Sequence, residues 1–223
     1  MKKLLLILFL FACENTIVDR SSSGCTDESA CNYDDSANED DGSCEYYDVC
    51  EVCDGDGSTC INDGLVINEI NYHSSEDFNP EDWVELYNPH EVAIEIGSWE
   101  FKDDNNDNVF IFPENTILDA KDYLVICKDL EAFSQIFPDV SNIIGGFEFG
   151  LDGAGEQVRL FNADEELVDK VEYDDSPPWP ITPDGTGPTL ELKNPSLDNA
   201  LAENWAASAN SGGTPGGINS ANE

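Results

Sequence analysis

Six cysteines stand between residues 25 and 60, spaced Cys25-x5-Cys31-x12-Cys44-x5-Cys50-x2-Cys53-x6-Cys60. The same stretch holds twelve Asp or Glu and no Lys or Arg. An even number of thiols in an acidic segment reads as a disulfide framework wherever thiols oxidise, although spacing alone does not choose among the many pairings. Zinc is the rival chemistry, because Cys50 and Cys53 form a C-x2-C pair, and an oxidising compartment argues against it. Beside the cysteines, Asn38, Asp40, Asp41, Asp54 and Asp56 offer hard oxygen ligands next to Gly42, Gly55 and Gly57, which permit tight loops. Calcium takes several such oxygens. These residues are therefore candidate calcium ligands, although neither Asp40-Asp41-Gly42 nor Asp54-Gly55-Asp56-Gly57 has the glycine phase or closing glutamate of an EF-hand.

Further along, Glu69 and Glu85 fall in adjacent predicted strands and could be imagined as an acid/base pair. Strand alternation offers a simpler account, with both pointing outward while Val84 and Leu86 face the core. His73 and His90 lie at strand ends near turns, and no Ser-His-Asp order, GxSxG elbow, HExxH helix or glycine-rich phosphate loop is present. Asp103, Asp104 and Asp107 in KDDNNDN read as a solvated hairpin tip. Cys127, in DYLVICKD, alternates with Tyr123 and Val125, as expected of a buried, inert thiol on a strand covered on both faces. Of the four tryptophans, Trp179, between Pro178 and Pro180, is the candidate ligand-stacking residue, and core packing is expected for the others.

These groups need elements to hold them. Residues 25–60 contain few sizeable apolar side chains, so covalent staples must stand in for a core. From Ile61 the pattern changes to short runs rich in Val, Ile, Phe and Tyr: LVINEINYH, DWVELYN, VAIEI, NVFIF, DYLVICK, QVRLF and LVDKVEY, divided by Asn, Asp, Gly or Pro. Such runs predict at least seven strands of an antiparallel sandwich or barrel. LEAFSQIF, between Asp129 and Pro138, is the one predicted helix, with Leu130, Phe133 and Phe137 on its buried face. Seven of the eleven prolines lie beyond Asp175. There TLELK and ENWAA, with Leu190, Leu192 and Trp205, predict an edge strand and a wrap over the sandwich through residue 219, then a loose tail at 220–223.

The first twelve residues carry two lysines and then an apolar run from Leu4 to Ala12, too short to cross a bilayer, which needs roughly 20 residues. This is the layout of an export signal. Leu10-Phe11-Ala12-Cys13 resembles the lipobox of bacterial lipoproteins, which implies acylation of the Cys13 sulfur, cleavage before it, and attachment to a membrane. Residues 13–24, polar and Ser-rich, then serve as a flexible tether. The chain has a net charge of −39, and loss of Lys2 and Lys3 leaves 7 basic side chains against 48 acidic ones. Nucleic acid is thereby excluded as a partner, since its binding rests on Lys and Arg releasing counterions.

The segment GCTDESACNYDDSANEDDGSCEY resembles the short Cys-rich repeats of surface and secreted proteins of marine bacteria, with CEVCDGDGSTC similar to a companion motif. LVINEINYH, DWVELYNP, VAIEI, DYLVICKD, FGLDGAGEQVRLFN, LVDKVEY and the closing TLELKNPSLDNALAENWAASANSGGTPGGIN resemble the bacterial lamin-tail domain. That resemblance implies an Ig-like β-sandwich over residues 64–175, in a family that in bacteria accompanies secreted enzymes, adhesins or spore-coat-type kinases. The expectation is an all-β, non-enzymatic lipoprotein of the outer membrane and cell surface. It would bind an envelope or extracellular protein or polysaccharide and need no cofactor other than candidate calcium. Two alternatives follow from the same residues: a calcium-dependent matrix or adhesion component, and an unfamiliar hydrolase or nuclease using Glu69, Glu85 or His73.

Overall fold

The computed structural model describes residues 22–47, 53–54 and 64–222. The chain divides into two compact units, at Tyr47/Asp48. Cys13, Cys50, Asp56 and Cys60 lie outside the described residues.

In the first unit a parallel pair joins β1 (Ser23–Gly24) to β2 (Glu39–Asp40). Ser23 and Gly24 were expected in the structureless tether, and they pair instead with Glu39 and Asp40. Among the described residues of this unit only Cys25 and Ala30 are buried apolar side chains, and Cys25 is bonded to Cys44. Cys31 and Cys53 are disulfide-bonded as well. Between the staples the backbone is turned by three Asp-x-Ser units at a spacing of seven, Asp27-Ser29, Asp34-Ser36 and Asp41-Ser43. In each, the Asp Oδ1 accepts the backbone N–H of the Ser, at 2.9, 2.9 and 3.0 Å. Such side-chain turns supply backbone partners that a sheet of only two short strands does not.

Two main sheets make the second unit. The larger has the order β10 (Ile143–Gly145), β9 (Tyr123–Cys127), β4 (Trp83–Tyr87), β3 (Val66–Asn71), β13 (Leu190–Leu192), β14 (Trp205–Ala207). Facing it is β12 (Leu167–Asp174), β11 (Gly155–Phe161), β6 (Glu100–Lys102), β7 (Val109–Ile111), and a small ribbon pairs β5 (Ile94–Glu95) with β8 (Ile117–Leu118). All pairings in this unit are antiparallel except β9 with β10. Ile67, Ile70, Val84, Leu86, Leu124, Ile126, Leu190 and Leu192 from the larger sheet share one core with Phe101, Val158, Leu160, Val171 and Tyr173 from the smaller. The molecule is thus mostly β, with the layered arrangement of an Ig-like sandwich.

A bulge in β3 makes this core possible. Ile67 and Ile70 are three apart, so strict alternation would put them on opposite faces. The register against β4 shifts between Ile67, opposite Leu86, and Glu69, opposite Glu85, and both isoleucines are buried in the core. On the far face of the larger sheet, Trp83, Val125 and Cys127 are covered by α1 (Leu130–Ile136) through Phe133, with Phe137, Val140 and Ile143 around it. Asp129 caps this helix by accepting from the N–H groups of Glu131 and Ala132. Leu130, expected on the buried face, is exposed, because only the Phe133–Phe137 side of this short helix meets Trp83.

Beyond Asp175 the chain contributes more than a wrap. The predicted edge strand TLELK is the internal strand β13, hydrogen-bonded to β3 on one side and to β14 on the other, and the ENWAA segment forms the edge. Residues 210–222 then cross the far face of the same sheet, and Ser220 and Ala221, expected in a loose tail, donate hydrogen bonds to Glu191.

Candidate functional site

Three glutamates stand side by side across the larger sheet. Glu191 on β13 is opposite Glu69 on β3, which is opposite Glu85 on β4, and all three are fully buried. Each sits between strand neighbours, Val84 and Leu86 or Leu190 and Leu192 or Ile70, that turn to the core, so the carboxyls emerge on the far face. The C-terminal segment covers them there. Glu69 accepts from Thr189 Oγ1 at 2.5 Å and from the Thr214 N–H at 3.1 Å. Glu85 accepts from Asn68 Nδ2 at 2.8 Å and from the Gly216 N–H at 2.6 Å. Glu191 accepts from Thr214 Oγ1 at 2.9 Å, and from Ser220 Oγ and the Ala221 N–H at 2.8 Å each.

Glycines let the segment come this close. A Cβ on Gly213 would lie 1.7 Å from Glu69 Oε1, and both Gly213 and Gly216 have positive φ, so SGGTPGG is the local sequence this approach requires. Burial raises the Glu69 carboxyl well above the usual range, with the charges of Glu85 and Glu191 adding to the effect. Burial likewise lifts Glu85, to about 8. The expectation that Glu69 and Glu85 point away from the core is met, yet they face a protein layer and not water. Glu191 escaped sequence reasoning, although Leu190-Glu191-Leu192 repeats the apolar-Glu-apolar pattern of Val84-Glu85-Leu86.

His73 does not join the glutamates. Its Nδ1 lies 2.5 Å from Asp184 Oδ1 at the surface, and its ring rests against Gly153 and Gly185. His90 lies in the turn after β4, its N–H donated to Asn88 Oδ1. Cys127 is a buried free thiol, pushed up to about 11 by burial. Of the candidate calcium ligands, Asp40 and Asp41 each turn an oxygen to the backbone, of Gly42 and Ser43 respectively, Asn38 donates its N–H to the Ser22 carbonyl, and Asp54 has positive φ. Among the described residues, the acidic group whose ligand oxygens all lie within 4.8 Å of one another is Asp103, Asp104 and Glu156. Asp103, read from sequence as a solvated tip, is buried, and accepts from the Asn105 N–H and from Asn108 Nδ2.

Asp104 and Glu156 open onto a cleft of about 920 Å³ between β12 and the turn at Ala202–Asn204. Trp179 lines it but is only 9% exposed, packed with Trp205, whose Nε1 donates to the Asn199 carbonyl. Glu156 accepts from the Asp152 N–H at 2.7 Å, and burial, reinforced by the charges of Asp103 and Asp104, raises it to about 7.

A two-layer β-sandwich with a stapled acidic unit before it places the molecule among Ig-like modular proteins. Residues 62–175 match the Lamin Tail Domain, and the chain belongs to that family. The match stops before β13, so the strand that carries Glu191 and the segment that covers the glutamates lie beyond it. No curated protein matches the chain.

Proposed function

We propose that the protein is an exported lipoprotein, anchored through Cys13 and displayed at the cell surface, whose sandwich is a non-enzymatic binding module held away from the membrane by the stapled unit. The observation that supports it best is the use made of Glu69 and Glu85. A general acid or base must reach a substrate proton, directly or through one water. Both carboxyls are instead shut under residues 212–221 and spent on holding that segment. Disulfide-bonded Cys25, Cys31, Cys44 and Cys53 favour an oxidising compartment.

Radiolabelled palmitate should enter the protein expressed in a bacterium with lipoprotein export, and enter a Cys13→Ser variant at background level. Equal labelling of the two would refute the anchor. Protease added to intact cells should remove the sandwich; full protection would move it to the periplasmic side.

A further inference from the structure

The cleft beside β12 is shaped and charged for one kind of guest. Five carboxylates line it, Asp104, Glu156, Glu172, Asp174 and Glu203, and among the described residues no Lys, Arg or His does. Of the basic side chains on this sheet, Arg159 is turned to the Asp103 carbonyl and Asn106, Lys102 to Glu100 at 2.6 Å, and Lys170 stands two residues before Glu172 on β12, outside the cleft lining. Exposed Pro177, Pro178 and Leu201 add an apolar surface. At about 920 Å³ the space is far larger than an ion needs and matches the upper end of ligand clefts, about 300–1,000 Å³. One wall is Glu172–Asp174 of β12, the end strand of its sheet, and an end strand presents unpaired backbone groups to an incoming strand.

We propose that this cleft receives an extended, lysine-bearing segment of a partner protein, laid along β12. Backbone pairing to the end strand would give the segment its direction, and alternate side chains would then reach the same wall. Ammonium groups meet Glu172 and Asp174, which share one face of β12, while their aliphatic stems lie on Pro177, Pro178 and Leu201. Close carboxylates of one sign favour a cationic guest over a neutral or anionic one. This assignment rests on the binding-module reading and names its ligand class.

Calorimetry on the purified full chain with an octapeptide of alternating Lys and Val should show binding, and an alternating Glu and Val octapeptide none. The triple variant Asp104→Asn/Glu172→Gln/Glu203→Gln changes exposed residues only and should weaken the lysine peptide about tenfold or more. Glu91→Gln/Glu114→Gln/Glu148→Gln removes the same charge from exposed positions elsewhere and should change affinity less than about twofold. Hydrogen exchange at Glu172–Asp174 should slow when the lysine peptide is bound. Equal weakening by the two variants would reduce the effect to general surface charge and overturn the site. Spermine binding as tightly as the peptide, or unchanged exchange on β12, would overturn strand docking. Loss of peptide binding leaves palmitate labelling and surface display unaffected, so the two readings fail separately.

Discussion

The stapled unit and the sandwich are built from the same surplus of carboxylates and use it in opposite ways. In residues 22–47, Asp27, Asp34 and Asp41 are exposed, hydrogen-bonded to Ser29, Ser36 and Ser43, and held below the usual carboxylate range by those bonds. They stay ionised and shape turns, while covalent bonds supply the stability that a core would give. In the sandwich, Glu69 and Glu85 are buried, raised by that burial, and grip the backbone of a segment more than a hundred residues away in sequence. An acidic composition is therefore two populations: one solvated, which sets solubility and charge, and one internal, which closes the fold. Net charge alone does not separate them.

The sharpest way to break this contrast is to end the chain after Ala209. That removes the Thr214, Gly216, Ser220 and Ala221 donors and leaves three buried carboxyls facing water and each other. Hydrogen bonds to neutral groups contribute about 0.5–1.5 kcal/mol each, and several are lost together, so denaturant unfolding should show the sandwich destabilised by about 3 kcal/mol or more. The stapled unit should keep its structure. Replacing Cys25 and Cys44 with Ser tests the other side. Opening a loop of this size, 19 residues apart in sequence, removes about 3 kcal/mol. Amide exchange in residues 22–47 should become fast while the sandwich melts at an unchanged temperature.

A third test sharpens the comparison through pH. A carboxyl whose folded value is raised binds more protons folded than unfolded, between its unfolded value and its folded one, so its contribution falls as pH rises across that window. Glu85 at about 8, Glu156 at about 7 and Asp169 at about 6 all act in this direction. The sandwich should become steadily less stable between pH 5 and pH 8.5, measured by urea unfolding. Glu85→Gln, which keeps the shape without the titration, should flatten that slope. A stability that climbed with pH over the same range would mean that the buried row is ionised throughout. The exposed aspartates of the stapled unit, being lowered, carry the opposite sign and act only in acid, below about pH 4.

Much of the architecture was legible in local pattern. LVINEIN, DWVEL, DYLVIC, QVRLF and LVDKVEY became β3, β4, β9, β11 and β12, and Asp129 began the helix, because alternation and capping are read within a few residues. Strands β1, β2, β6, β8, β10 and β14 were missed. Each spans two or three residues, and Ile143–Gly145 is a strand only because β9 lies parallel beside it. TLELK was recognised as a strand but placed at the edge, since the Pro- and Gly-rich text around it looks peripheral and β14 is needed to make it internal. The acidic cleft was invisible for the same reason: Asp104, Glu156, Glu172 and Glu203 are far apart in the chain and meet only when the strands pair.

By itself the sequence determined the all-β class, the need for disulfides in a stretch without a core, the buried fate of Cys127 and the faces on which Glu69 and Glu85 fall. These are consequences of residue type and a period of two. Only the tertiary structure decided that those glutamates would be covered, that Glu191 would join them, and that Gly213 and Gly216 would let the backbone close over the row. Strand order and long-range packing choose which outward face meets water, and no local periodicity encodes that choice.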